Sequence, residues 1–162
     1  MYLPGIKRIN RYFIGFFSKN DEIRYYKILP DVMLRNQPMN LVEFTFDDRL
    51  DTDFLNELYG GDKEHATMVF EQFLKEIHVQ LKEIDNSYNS GNSELLRQKV
   101  HKLKPVFSFV GLTWLTDKAE AIENQCKQNT DQSAMDELYK DFTKNILEFI
   151  PIIENELVKL KE

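Results

Sequence analysis

The chain has 162 residues, 30% charged and 42% apolar, with six Gly and five Pro, which suits one helix-rich domain whose core needs neither disulfides nor metals. The net charge of -6 conceals a basic segment: residues 1 to 37 hold seven Lys or Arg against three acids, so the remainder is strongly acidic and repels phosphate backbones, excluding nucleic acid as its partner. The single cysteine, Cys126, and the lack of any signal-like start or apolar run of about 20 residues exclude a disulfide scaffold and an integral membrane segment and point to a cytoplasmic protein.

The first fifty residues carry no clean periodicity. Tyr2 to Phe17 mixes Lys7, Arg8 and Arg11 with Tyr12, Phe13, Ile14, Phe16 and Phe17, and Leu41 to Phe46 alternates like a short strand or an extended segment. Residues 1 to 50 are read as an N-terminal extension. It either lies on a membrane surface or a partner, or packs on the main domain or stays partly unordered.

From Asp51 the pattern is helical. A short helix carries Phe54, Leu55 and Leu58 and stops at Gly60-Gly61. Asp62 is placed to cap a long amphipathic helix with Glu64 in its first turn and Ala66, Phe70, Phe73, Ile77, Leu81 and Ile84 at helical spacing. After the loop Asn89 to Ser93, Ser93 is expected to cap a helix whose apolar face is Leu96, Val100, Leu103, Phe107 and Val110. A third seam runs Leu112, Leu115, Ala119, Ile122, Cys126, and after a break around Asn129-Thr130 a fourth runs from Met135 to Leu160. Spacings that alternate between three and four residues predict an all-α, antiparallel four-helix bundle over residues 51 to 162, preceded by the short helix. Pro105 and Pro151 fall inside two of these helices, where each removes a backbone donor and should kink or interrupt the helix. In particular, the carbonyl of His101 loses its partner at position 105.

The chain has three histidines, His65, His78 and His101, without an HExxH pair or a Cys/His cluster, and no Walker-type or G-x-S-x-G motif, so neither a metal site nor a known enzyme motif is present. At about 100° per residue, Glu94, Arg97, His101, Lys104 and Ser108 form a stripe one step round from the apolar seam. An imidazole is thus presented on a helix surface between two cations.

The sequence H-K-L-K at 101 to 104, with Gly111 ten residues after the histidine, L-T-W-L following it and a run on to Ile122-Glu123, resembles the histidine-containing phosphotransfer (HPt) domains of multistep phosphorelays. The resemblance covers about residues 50 to 161. It implies that His101 is phosphorylated, that Lys104 is the family's nearby cation, and that Gly111 is the small residue near the end of the histidine helix. Glu123 falls where a polar side chain often faces the histidine in that family. One departure stands out, since the family usually has Gly directly after the Lys and this chain has Pro105.

The chemistry of the residues agrees with this. A neutral imidazole nitrogen is a competent nucleophile, and Lys104 and Arg97 can hold the phosphoryl group by charge-assisted hydrogen bonds. Pro105, Ser108, Gly111 and Glu123 are expected to form the docking surface for receiver domains. The resemblance further implies a monomeric phosphocarrier without autonomous catalytic activity and without a cofactor, Mg²⁺ being supplied by a receiver-domain partner, with a hybrid histidine kinase as a further partner. A phosphate-independent adaptor that docks a kinase or receiver is the alternative reading.

Overall fold

The computed structural model describes residues 14–17, 23–26, 44–128 and 132–162. The chain divides into two compact units, Met1–Asn40 and Leu41–Glu162. Within the first, β1 (Ile14–Phe17) and β2 (Ile23–Tyr26) form an antiparallel hairpin in which Ile14 is opposite Tyr26 and Phe17 opposite Ile23. The sequence reading assigned no strands there. The rest of the predicted arm, and the break at Asn129-Thr130, lie outside the described residues.

The second unit is helical: α1 (Thr52–Tyr59), α2 (Lys63–Asn89), α3 (Ser93–Ser108), α4 (Leu115–Gln128) and α5 (Gln132–Lys161). The last four form the bundle, with α2 packed on α3 and α5, and α4 packed on the same two helices. Cross-links at both ends fix the antiparallel sense of α2 and α5. Thr67 reaches the Leu160 carbonyl and Lys161 pairs with Glu71 at 2.6 Å, while at the opposite end Tyr139 donates to Asp85 at 2.9 Å and its ring stacks on Tyr88.

The core is the set of seams read from the sequence. Phe70, Ile77, Ile84, Val100, Leu103, Phe107, Ile122, Phe142, Ile146 and Ile153 are all buried, each large side chain contributing roughly 1.5–3 kcal/mol relative to exposure. Phe107 and Phe142 meet edge to face at 5.7 Å across the bundle. Leu81, Leu138, Phe149 and Leu157, expected in the seams, are only half-buried.

Helix starts follow local chemistry. Asp62 Oδ1 accepts the His65 N–H at 3.0 Å, as its position suggests, whereas α3 is capped by Asn92, whose Oδ1 accepts from Leu95 N–H at 3.0 Å. Ser93, the expected cap, is the first helical residue instead. Neither proline ends its helix: α3 continues through Pro105 and α5 through Pro151. Tertiary packing on two neighbouring helices offsets the one hydrogen bond each ring removes.

The bundle unit begins before Asp51, the expected boundary. Asn56 clamps the Phe44 backbone from both sides, accepting from its N–H at 2.9 Å and donating to its carbonyl at 3.2 Å, and buried Phe46 stacks on Phe70 at 5.9 Å. Residues Phe44 to Leu50 therefore complete one end of the core. The extended segment predicted over Leu41 to Phe46 is held by a side chain rather than by a strand partner, its first three residues lying outside the described set.

α1 latches onto the turn that follows α3. Asp51 donates its N–H to the Gly111 carbonyl at 2.8 Å, and its carboxylate accepts from Thr113 Oγ1 at 2.8 Å and from Phe54 N–H at 3.1 Å. Tyr59 donates its hydroxyl to the Phe109 carbonyl at 2.6 Å. Gly111 is buried with φ +77°, and a Cβ there would come within 2.8 Å of Leu55 Cδ1 and 2.9 Å of Leu50 Cβ. Both the backbone conformation and the close approach demand glycine.

Two outcomes follow from this packing. A chain starting at Leu41 should unfold in one cooperative thermal transition, and a broad, non-cooperative melt would show that the first unit completes the core. Gly111→Ala should cost about 2–4 kcal/mol, from left-handed backbone strain added to overpacking, read as a shift in the urea midpoint.

Candidate functional site

His101 sits mid-way along α3 with 63% of its side chain exposed, and Glu123 projects from the facing turn of α4 with only 6% exposed. Glu123 Oε2 lies 3.1 Å from His101 Nδ1. Its other oxygen lies 2.9 Å from the ammonium of Lys104, which is 25% exposed. That second contact has ion-pair distance without hydrogen-bond directionality, so Oε1 has no aligned donor. One buried carboxylate thus joins the two residues that the H-K-L-K motif separates by three positions.

This geometry selects a tautomer. A carboxylate only accepts, so Nδ1 must carry the proton, and Nε2 is left with the lone pair on an exposed ring. Burial alone would raise the Glu123 carboxyl, but the Lys104 and His101 contacts outweigh it and hold the group below its ordinary value. Glu123 is therefore ionised at neutral pH.

The other expected site residues divide. Arg97, one turn before His101, is engaged by Glu94 in a two-pronged pair, with Nη2 to Oε1 at 2.7 Å and Nε to Oε2 at 2.9 Å. Pro105 is exposed one turn beyond His101, and Ser108 is half-exposed at the end of α3. Gly111 and Glu123 are not on that surface. Gly111 is buried under Leu50 and Leu55, and Glu123 faces inward from α4 with its carboxylate against His101 and Lys104.

Of the remaining histidines, His78 is exposed on α2 and His65 is half-buried with its ring edge-on to Tyr59 at 5.4 Å. Neither is joined to a carboxylate and a lysine as His101 is. Cys126, one turn after Glu123, is buried, and burial pushes its thiol up, which makes it a poor nucleophile. Among the described residues, no group of three or more His, Cys, Asp or Glu is placed to hold a metal, and no helix is long and apolar enough to cross a membrane.

The Hpt domain family model matches residues 68–159, a span that starts in α2, contains the whole of α3 and α4, and ends in α5. The chain belongs to the Hpt domain family. Domains of this family carry out histidine phosphotransfer in phosphorelays, within two-component signalling, as phosphocarriers that interact with receiver domains and kinases. No curated protein and no solved structure matches the chain.

The role of Glu123 was only partly visible in the sequence. The resemblance placed a polar residue opposite the histidine, but an acidic residue 22 positions away has no local signal of burial or pairing. Its depressed carboxyl makes a prediction with a definite sign. A group whose folded pKa lies below its unfolded value adds stability above the unfolded value and loses it as pH falls through the folded one. Between neutral pH and acid below the ordinary value of 4.5, wild type should lose more stability than Glu123→Gln, measured by urea unfolding at each pH.

Proposed function

We propose that this domain is a phosphocarrier that accepts a phosphoryl group on Nε2 of His101 from a receiver-domain aspartate and donates it to another. The observation that supports this best is the shared carboxylate: Glu123 fixes the Nδ1–H tautomer of an otherwise exposed imidazole. The lone pair on Nε2 attacks phosphorus in line, the acyl-phosphate P–O bond breaks, and the aspartate leaves as a carboxylate. Glu123 then faces the positive charge that develops on the phosphorylated ring, which stays protonated at Nδ1. In the reverse step the ring leaves as neutral imidazole.

Lys104 is placed to meet the new negative charge from the next turn of the same helix. Mg²⁺ is expected on the receiver partner, where it would neutralise the acyl phosphate. This domain has little catalysis of its own to perform, because positioning and charge neutralisation account for most of such a transfer. Pro105 and Ser108, one and two turns beyond His101 on α3, form the part of the docking surface that carries no long side chain. Because α3 runs unbroken through Pro105, the proline leaves the histidine on a regular helix, which favours the carrier over a phosphate-independent adaptor.

Incubation with a phosphorylated receiver and Mg²⁺ should give an acid-labile, alkali-stable label on the protein. His101→Gln should abolish it while the bundle still melts cooperatively, since the Gln amide retains a donor for the buried Glu123 carboxylate. Lys104→Ala should slow label formation by about tenfold or more, the loss of one charge-assisted contact. Undiminished labelling of His101→Gln would refute the assignment, and a wild type that no receiver labels would favour the adaptor.

A further inference from the structure

Arg97 lies one turn before His101 on α3, where residues four apart are neighbours, yet it is occupied. It lies four residues before His101, and helical side chains lean towards the N-terminus, so the imidazole stands over the turn that carries Arg97. Both prongs of the guanidinium are nevertheless engaged by Glu94.

We propose that Glu94 is a positioning residue that sets how long a phosphoryl group survives on His101, by competing with it for Arg97. The inference rests on the phosphocarrier reading above. Glu94 is a suitable competitor because the exchange leaves it satisfied: Gln98 donates to its Oε1 at 2.8 Å, and it sits in the first turn of α3, where the helix dipole favours an acid. Hydrogen bonds from Arg97 and Gln98 pull its carboxyl down to about 2, so it is charged at any physiological pH. It is also 60% exposed against 29% for Arg97. Water therefore weakens the Glu94–Arg97 pair and keeps it exchangeable.

When the phosphoryl group arrives on Nε2, its oxygens offer Arg97 a doubly charged, fork-matching acceptor in place of a singly charged one. The guanidinium swings by one turn and Glu94 falls back on Gln98. In the resting protein, Lys104 and Arg97 are thus both neutralised by carboxylates, and each is released towards His101 only by the charge that the transfer brings. Loss of the phosphoryl group is hydrolysis: water attacks phosphorus, the N–P bond breaks, inorganic phosphate leaves, and Nε2 keeps the electron pair. An Arg97 contact that is made in the phosphorylated ground state and loosened as the group departs holds the ground state more than the transition state, and so slows this step.

The test uses phosphoramidate as a small-molecule donor, so that no partner is needed. Wild type, Glu94→Gln, Arg97→Ala and the double variant are labelled, freed of donor, and followed by phosphorus NMR for decay of the phosphohistidine signal. Thermal melting confirms that each is folded. Glu94→Gln should lengthen the half-life by about two- to fivefold, the range that exposed ion pairs support. Arg97→Ala should shorten it, and adding Glu94→Gln to Arg97→Ala should change nothing further. An unchanged half-life in Glu94→Gln, or an equal lengthening in the Arg97→Ala background, overturns the competition while leaving the phosphocarrier reading intact. Absence of any phosphohistidine in wild type, or its persistence in His101→Gln, overturns both.

Discussion

Taking a carboxylate out of water costs several kcal/mol, and a buried one persists only where other groups compensate it. Glu123 is nearly inaccessible on α4, and its two oxygens are met by His101 and Lys104 from α3. The constraint works in both directions. The two cationic or proton-bearing groups keep the carboxylate ionised, and the carboxylate keeps the proton on Nδ1, so the lone pair is left on the exposed Nε2. A histidine at the same place without Glu123 would distribute its proton between two nitrogens and turn freely about its side-chain bonds.

That pairing requires α3 and α4 to hold a fixed register, and the register is set at the turn between them. Asp51 binds the Gly111 carbonyl and the Thr113 hydroxyl, Tyr59 binds the Phe109 carbonyl, and Leu50 and Leu55 close over Gly111. Burial of Tyr59 pushes its phenol well above its ordinary value, which keeps it a neutral donor. The short helix and the residues just before it therefore act on the site from a distance. They clamp the far end of the histidine helix, so an imidazole on the surface is held by a rigid scaffold rather than by a pocket.

Charge is used sparingly around the histidine. The acidic bundle carries Arg97 and Lys104 on the same face as His101, but each is paired with a carboxylate, Glu94 or Glu123. Cations held this way are poor magnets for stray anions.

The sequence by itself determined the helices and placed His101 and Lys104 on one face of the second long helix. Apolar residues recurring every three or four positions can bury themselves only as helical seams, and H-K-L-K puts an imidazole and a lysine on neighbouring turns, because helix geometry is local and periodic. The Asp62 cap was legible for the same reason, while the Asn92 cap was missed by one residue because both it and Ser93 can accept the same kind of bond. Other features depended on contacts between distant segments. Glu123 was recognisable as a facing residue only through family resemblance, and its burial and its bridge to Lys104 arise from the packing of α4 on α3. That Leu50 and Leu55 close over Gly111, and that Glu94 holds Arg97 in the resting protein, had no signal in the sequence. Periodicity fixes which face a residue occupies, but which charge it meets there is decided by side chains folding back from other turns and helices, and only the tertiary structure brings those together.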